Sequence, residues 1–158
     1  MRHRLYVHIV WTTREREPLI DADVARFLCR YLRAIAQQER SRVLEIGMVA
    51  THVHLLLTLH PLTNIPRLVM RLKGGSATLA NREGHADLQR PLRWADGYSI
   101  ASVSPGLLER TREYLRHQPQ HHPAEAIVGW RGAYRDREEP PPASDLRAPS
   151  GAEAERRL

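Results

Sequence analysis

Two histidines separated by one residue are the first feature of this chain that could carry chemistry. His52 and His54 stand in the segment THVHLLLTL, whose composition is typical of a β-strand. Alternate residues of a strand point to the same face, so both imidazoles leave one side of it. Two neutral imidazoles at this spacing can bind one divalent metal ion. A pair of ordinary surface histidines has the same pattern, and the motif alone leaves both interpretations open.

A tyrosine and a glutamine four residues apart form the second candidate group. Tyr114 and Gln118 fall on one face of a predicted helix. A tyrosine oxygen can attack phosphorus when a metal ion neutralises and orients the scissile phosphate. The amide oxygen of Gln118 is a hard ligand of the type that Mg²⁺ and Mn²⁺ prefer, and two imidazoles beside it favour Mn²⁺. Taken alone, Tyr114 is also the kind of aromatic residue that packs a helix against a core, and Pro119 biases Gln118 away from helical geometry.

Four predicted strands and three predicted helices must position these groups. Apolar and β-branched runs predict strands at 5–13, 43–49 and 53–59, with a broken fourth strand at 92–94 and 98–103. The helix signals are N-caps, glycines and prolines, namely Asp21 or Asp23, Asn64, Gly74 and Gly75, Ser104, Pro105 and Pro119. The order predicts an α+β, ferredoxin-like β-α-β-β-α-β fold with an antiparallel sheet and an additional C-terminal helix carrying the tyrosine. Two helices are expected to cover one face of this sheet and to leave the other open.

Length and composition limit the classes of protein that fit. The 158 residues suit one domain, predicted at 1–134, followed by a proline-rich tail at 135–158 that is predicted to be disordered. The net charge of +6, nearly all of it from arginine, is compatible with nucleic acid binding. No run approaches the roughly 18 apolar residues of a membrane span, so we expect a cytoplasmic protein with no membrane partner. Cys29 is the only cysteine and excludes an internal disulfide framework.

Four sequence blocks in order resemble one family. They are THVHLLLTL, RLVMRLKGGSATL, LRWADGYSIASVS and REYLRHQPQHH. In combination they resemble the single-tyrosine HUH transposases, which are the single-strand DNA transposases of the smallest insertion sequences. The REP-associated tyrosine transposases are a related branch. The resemblance runs from about Tyr6 to His122.

The resemblance implies a catalytic role for each residue of the two candidate groups. It makes His52 and His54 the paired metal-binding histidines, with Gln118 completing a site for Mg²⁺ or Mn²⁺. Tyr114 would be the nucleophile that forms a 5′-phosphotyrosine link to DNA. Many members carry an acidic or amide residue before the first histidine, where this chain has Thr51.

The resemblance also implies partners, and rival functions remain. The expected DNA-binding residues are Arg67, Arg71, Lys73, Gly74 and Ser76. The expected partners are single-stranded or hairpin DNA and a second copy of the chain, with an active site shared between the subunits. One alternative is a non-catalytic single-stranded nucleic-acid-binding module, and another is a domesticated relative that processes REP sequences. A metal-dependent phosphoesterase that uses water is a third.

Overall fold

The computed structural model describes residues 4–130 and residue 132, and the predicted tail at 135–158 lies outside the described residues. Four strands form one antiparallel sheet in the order β2-β3-β1-β4. The strands are β1 (Leu5–Thr12), β2 (Arg42–Val49), β3 (His52–Leu59) and β4 (Ser99–Val103). This is the predicted ferredoxin-like sheet. The predicted first part of the fourth strand is only a single bridge, between Trp94 and Thr13.

One face of the sheet carries the main hydrophobic core. Alternation places Val7, Ile9 and Trp11 of β1 on this face, beside Val53 and Leu55 of β3, and all five are buried. Helix α1 (Ala22–Gln38) packs over them with the pair α2 (Ile65–Met70) and α3 (Ser76–Arg82). The apolar stripes of these helices and the alternation of the strands therefore produce one shared core.

Side-chain caps fix the starts of α1 and α2. The Asp21 carboxylate accepts a hydrogen bond from the backbone N–H of Val24, at 2.9 Å. The Asn64 side chain accepts one from the N–H of Arg67, at 3.0 Å. Both bonds satisfy donors that the first helical turn would otherwise leave unpaired. They confirm Asn64 as the cap of α2 and show that Asp21, and not Asp23, caps α1.

A π-helical turn joins α2 to α3. It spans Arg71–Gly75 and contains two glycines, a residue type that weakens the interior of an α-helix. The chain stays helical through them, because the wider turn keeps the backbone hydrogen-bonded while the glycines add no side chains to the crowded interior. Gly74 and Gly75 thus change the type of turn and do not end the helix.

The second face of the sheet is partly covered, whereas the sequence predicted an open face. Helix α4 (Leu108–Arg116) lies on this face against β2 and β3. Its residue Leu115 is buried with Leu44 and Leu56 in a small second cluster. An irregularity in the β2–β3 register between Val43 and Glu45 places both Leu44 and Glu45 on the α4 side.

The tyrosine helix begins and ends differently from the prediction. Residues Pro105–Leu107 form a 3₁₀ turn, in which the N–H of Leu107 bonds the backbone carbonyl of Ser104 at 3.0 Å. The Ser104 side chain makes no capping bond. Helix α4 stops at Arg116, and the short helix α5 (Gln118–His121) follows after His117.

No helix in the described part of the chain is long and apolar enough to cross a membrane.

Candidate active site

The paired histidines lie on the second face of the sheet, beneath α4. Only 4% of His52 and 7% of His54 is exposed, so they are not ordinary surface histidines. Their ring centroids are 5.1 Å apart. The Nδ1 atom of His52 lies 3.0 Å from the Thr51 hydroxyl, and that of His54 lies 2.9 Å from Nε2 of His8. These contacts leave Nε2 of each ring as the nitrogen available to a ligand.

Burial keeps both rings neutral. Burial, together with the positive charges that neighbouring histidines would carry, lowers the pKa of His54 to about 3. Burial also lowers the pKa of His52, against the opposing effects of the Gln118 side chain and the Glu125 carboxylate. A neutral imidazole is the form that binds a metal ion. The pair is therefore in its binding form at neutral pH.

Tyr114 lies beside the histidine pair. Its ring centroid is 6.0 Å from that of His54, with the two rings nearly perpendicular, and 5.1 Å from that of His121. Tyr114 is 43% exposed, which is unusual for a large aromatic residue in a packed helix. The structure therefore does not bury Tyr114 as a core residue, and a substrate can reach its ring.

Gln118 presents an unpaired oxygen inside the site. The residue is fully buried, and its Nε2 donates to the backbone carbonyl of Tyr114 at 3.4 Å. Its Oε1 is buried and makes no hydrogen bond of good geometry, although the Gln118 side chain is near enough to His52 to oppose the lowering of that ring's pKa. A buried acceptor without a partner costs about 1–3 kcal/mol, so it needs an explanation. A metal ion bound by the two histidines would pair with this oxygen, and the residues present thus fit the predicted ion.

The described residues contain no group of three or more His, Cys, Asp and Glu side chains arranged to hold a metal ion. The predicted set has two histidines and takes its third protein donor from an amide. The predicted ligands, two imidazoles and one amide oxygen, stay a prediction.

Close packing at a glycine sets the distance between the tyrosine helix and the sheet. A Cβ atom at Gly47 of β2 would collide with the backbone carbonyl oxygen of Leu115 and lie 3.0 Å from Cγ of Gln118. Only glycine allows α4 to approach β2 this closely. Gly47 is paired with His54 in the sheet, so the same contact places Gln118 next to the histidines.

An ion-pair cluster holds the same helix from the other side of Leu115. The buried carboxylate of Glu45 lies 3.0 Å from Nε of Arg116 and 3.5 Å from Nε of Arg112. Both arginines belong to α4. The two ion pairs orient α4 on the sheet at a point where the apolar contact is small.

A hydrogen-bonded chain leads from His52 to the segment after α5. The Thr51 hydroxyl donates to Oε1 of Glu125 at 2.9 Å, and the same oxygen of Thr51 contacts Nδ1 of His52. The backbone carbonyl of Glu125 accepts a bond from the N–H of Ala50 at 2.7 Å. Its second carboxylate oxygen lies 3.6 Å from Nδ1 of His122.

Three of the expected DNA-binding residues lie at the junction of α2 and α3. Lys73, Gly74 and Ser76 are buried, and the Lys73 ammonium donates to the carbonyls of Ala95 and Gly97 at 2.8 and 2.7 Å. Burial lowers the pKa of Lys73. None of the three contacts the histidine pair. The side chains of Lys73 and Ser76 bond the segment before β4, and DNA binding by the three residues stays a prediction.

A cavity of about 680 Å³ opens beside Lys73 and Gly74. Its lining includes the cationic residues Arg14 and Arg93 together with Trp94. Because Thr13 is bridged to Trp94 and the adjacent Thr12 pairs with His52, the cavity lies at the same end of the sheet as the histidines.

Arg67 and Arg71 are not near the histidines. Both bind the carboxylate of Glu39, with nitrogen–oxygen distances of 3.1 and 2.7 Å, and Arg71 also donates to Gln38. They lie on the helical side of the sheet, opposite the candidate site. The Arg67 side chain is largely exposed, whereas the Arg71 guanidinium is mostly enclosed.

Sequence reasoning missed the residues that support the candidate ligands. His8 falls on the same face of β1 as Tyr6 and Val10, so alternation could have placed it on the histidine face. Glu45 and Gly47 carry no local signal, because their importance depends on how α4 packs. Glu125 is 74 positions from Thr51, and no spacing rule connects them.

Comparison with known proteins adds a family and several relatives. The family model described as "Transposase IS200 like" matches residues 1–118. The ISDra2 transposase TnpA of Deinococcus radiodurans is 31% identical over 119 residues, covering 73% of this chain and 85% of that protein. The transposase of insertion sequence element IS200 from Salmonella typhimurium is 27% identical over 115 residues, covering 70% of this chain and 74% of its own length.

Two solved structures share the fold. A crystal structure of a Deinococcus radiodurans protein assigned as a transposase superimposes with a TM-score of 0.58 at 29% identity, covering 75% of this chain and 93% of that one. A REP-associated tyrosine transposase bound to a REP hairpin superimposes with a TM-score of 0.55 at 11% identity, covering 77% of this chain and 73% of that one. The second likeness concerns the fold alone.

Proposed function

This chain belongs to the family of IS200-like transposases, and from that membership we propose that it cleaves and rejoins single-stranded DNA through a covalent link to Tyr114. The observation that carries the proposal is the position of this half-exposed tyrosine, whose ring lies 6.0 Å from that of His54. The unpaired Oε1 of Gln118 lies in the same small region. The residue proposed as the nucleophile thus lies beside the residues proposed as metal ligands, which supports the proposal.

The cleavage step is a transesterification. The Tyr114 oxygen attacks the scissile phosphorus and loses its proton, while the bond between phosphorus and the 3′ oxygen breaks. The departing oxygen takes up a proton and becomes a free 3′-OH. The DNA stays attached to the protein as a 5′-phosphotyrosine. A second 3′-OH then reverses the step and joins the strands in a new order, with no external energy source, because the number of phosphoester bonds is unchanged.

The ligand residues prepare the site for the phosphate. His52, His54 and Gln118 would hold Mg²⁺ or Mn²⁺, which when bound supplies Lewis-acid polarisation of a phosphate oxygen. Burial keeps the two imidazoles neutral. Their spacing of two residues on β3 places both on one face of the strand. The Tyr114 carbonyl fixes the amide of Gln118 through its Nε2. Gly47 sets the depth at which the tyrosine helix lies.

The DNA partner is proposed to be a single strand with a hairpin beside the cleavage point. The cationic lining of the cavity at Lys73, Arg14 and Arg93 supports a path for the phosphate backbone at the histidine end of the sheet. The hairpin is proposed from the solved neighbour that is bound to a REP hairpin. Cleavage of such DNA would take place in the cytoplasm.

A homodimer is part of the proposal. The edge strand β4 is largely exposed. Ile100 on this strand and Tyr98 just before it are large side chains that are 38% and 41% exposed. A strand of this kind is a template for pairing with another strand. Within one chain α4 packs on its own β2, and a shared active site would require that helix to exchange between subunits.

The test is formation of a covalent protein–DNA adduct. Single-stranded oligonucleotides tiled across the DNA that flanks the gene are incubated with protein and Mn²⁺ and separated on a denaturing gel. Tyr114→Phe should abolish the adduct and leave DNA binding nearly unchanged. Tyr98→Phe is the matched control, because Tyr98 has almost the same exposure, at 41% against 43%, and lies on a different element.

Each other outcome identifies a different function. An adduct that persists in Tyr114→Phe shows that another residue is the nucleophile. Metal-dependent cleavage without an adduct indicates a phosphoesterase that uses water. Binding without cleavage, for all oligonucleotides and with Mg²⁺ as well as Mn²⁺, indicates a nucleic-acid-binding module.

A further inference from the structure

The hydrogen bonds around Thr51 determine where the proton of His52 lies. The Thr51 oxygen is 2.9 Å from Oε1 of Glu125 and 3.0 Å from Nδ1 of His52. A carboxylate offers only acceptors, so the Thr51 hydroxyl must donate its single proton to Glu125. The same oxygen can then only accept from His52. It follows that Nδ1 of His52 carries the ring proton and that Nε2 has the free electron pair.

The arrangement is built into the fold. Thr51 is 3% exposed, and Ala50 beside it binds the backbone carbonyl of Glu125 at 2.7 Å. This backbone bond does not depend on the Glu125 side chain. The segment therefore stays attached to the β2–β3 turn even when the carboxylate is removed. Glu125 also lies beyond residues 1–118, the part of the chain that matches the family model.

We propose that Glu125 is a positioning residue that acts through Thr51 to hold His52 in the Nδ1–H tautomer and so to present its Nε2 to the metal site. The inference rests on the proposed function for its purpose, since it assumes that His52 is a ligand. The tautomer itself depends only on the hydrogen bonds. Outer partners of this kind orient a ligating imidazole and increase its basicity.

The second histidine provides a contrast inside the same site. Nδ1 of His54 faces Nε2 of His8 at 2.9 Å, and either ring can be the donor in that pair. No carboxylate fixes the direction of this bond among the described contacts of the two rings. His54 is therefore an internal reference, because changes at Glu125 should leave its tautomer as it is.

The experiment reads the tautomer directly. Two-bond ¹H–¹⁵N correlation spectra of the metal-free, ¹⁵N-histidine-labelled protein at neutral pH distinguish a protonated Nδ1 from a protonated Nε2. The signals of His52 are assigned by their loss in His52→Gln. The variants are Glu125→Ala, Thr51→Val and the conservative Glu125→Gln. Glu83→Ala, which removes a carboxylate from the end of α3, is the control for charge. Calorimetric titration with Mn²⁺ gives the metal affinity of each.

We expect the wild type to show the Nδ1–H form of His52. Glu125→Ala frees the Thr51 proton to be donated to Nδ1, so the population should shift toward Nε2–H. Thr51→Val removes the hydroxyl that connects Glu125 to His52 and should give a mixture of the two His52 tautomers. Both should bind Mn²⁺ about 10–100-fold more weakly. Glu125→Gln keeps an acceptor oxygen and should restore the wild-type tautomer, and Glu83→Ala should have no effect.

A purely structural role gives a different result. If Glu125→Ala and Thr51→Val leave the His52 tautomer unchanged, the proposal is wrong even if metal binding weakens. An Nε2–H form in the wild type also overturns it. The proposed function fails separately, by absence of the DNA adduct. A tautomer that follows Glu125 in a protein that forms no adduct would retain this inference and reject the function.

Discussion

The two faces of the sheet differ in what holds them together. On one face, strands and helices share a continuous apolar core that contains most of the large buried side chains. On the other, the apolar cluster in the described part of the chain has only Leu44, Leu56 and Leu115 as buried members. Hydrogen bonds, ion pairs and a close backbone contact supply the rest. The first face contains most of the apolar core, and the second positions the residues of the proposed site.

This difference has an energetic consequence. Free energy from burial scales with apolar area, so the core face should account for most of the stability. The α4 face buries little apolar area and depends on close contacts. Small displacements there should therefore change the rate of the proposed reaction more than the free energy of unfolding.

The first prediction compares one leucine from each face. Leu55 and Leu115 are both fully buried, the former in the core and the latter under α4. Leu55→Ala should lower the free energy of unfolding by about 3–4 kcal/mol. Leu115→Ala should cost about 2 kcal/mol, because among the described residues Leu115 packs against only two other buried apolar residues of its cluster. Urea denaturation measures both. Equal losses would mean that the two faces contribute equally to stability.

The second prediction separates the reaction from stability on the α4 face. Gly47→Ala places a methyl group against the Leu115 carbonyl and must displace the tyrosine helix. We expect adduct formation to slow about 100-fold, because displacements near 1 Å can cost that much. The free energy of unfolding should change much less. Gly106→Ala is the control, since nothing lies within 4 Å of its added methyl group. Equal rates for the two variants would remove Gly47 from the positioning of Tyr114.

The third prediction concerns acid. The pKa of His54 is about 3 in the folded protein, whereas in the unfolded chain it returns to its ordinary value of 6.5. Between these values the unfolded state binds the extra proton, so the stability contributed by the neutral ring is complete above pH 6.5 and is lost as the pH falls. The loss is at most about 1.4 kcal/mol per pH unit. Urea denaturation of the metal-free protein should show a steeper loss for the wild type than for His54→Gln. Parallel curves would contradict the assigned burial of His54.

The smallest effect is expected at the ion-pair cluster. Glu45→Gln removes a buried charge facing two arginines that are partly exposed, so solvent screening limits the loss to about 1 kcal/mol. Glu109→Gln is the matched control, because Glu109 reaches the same Arg116 at 3.8 Å but is 71% exposed. Glu109→Gln should not change the free energy of unfolding measurably. Urea denaturation at low and high salt decides, and a loss at Glu45 that persists undiminished in high salt would argue against an ionic cause.

The sequence was informative where a signal is local. Strand alternation correctly predicted the sheet and the shared face of His52 and His54, and the capping residue Asn64 was identified from its type. Family membership was predictable from the four ordered blocks. The roles of Tyr114 and Gln118 stay predictions, as do those of the two histidines.

Long-range packing was beyond such signals. The tyrosine helix covers the face that was expected to be open, because a glycine on β2 admits it. Its break at His117 follows from Pro119, whose effect on Gln118 was anticipated only as a bias. The bond between Thr51 and Glu125 joins residues that meet only after the whole chain has folded.

The π turn at Arg71–Gly75 also sets the rotational phase of the helix that follows it. A turn of this kind holds one residue more than an α-helical turn, and one residue corresponds to about 100° of rotation about the axis. With this added rotation, Ser76 accepts the indole N–H of Trp94 at 3.0 Å, and Asn81 bonds both backbone groups of Leu92. In an uninterrupted α-helix these two side chains would point elsewhere. The extra residue thus rotates α3 so that two of its side chains bond the loop that contains Leu92 and Trp94.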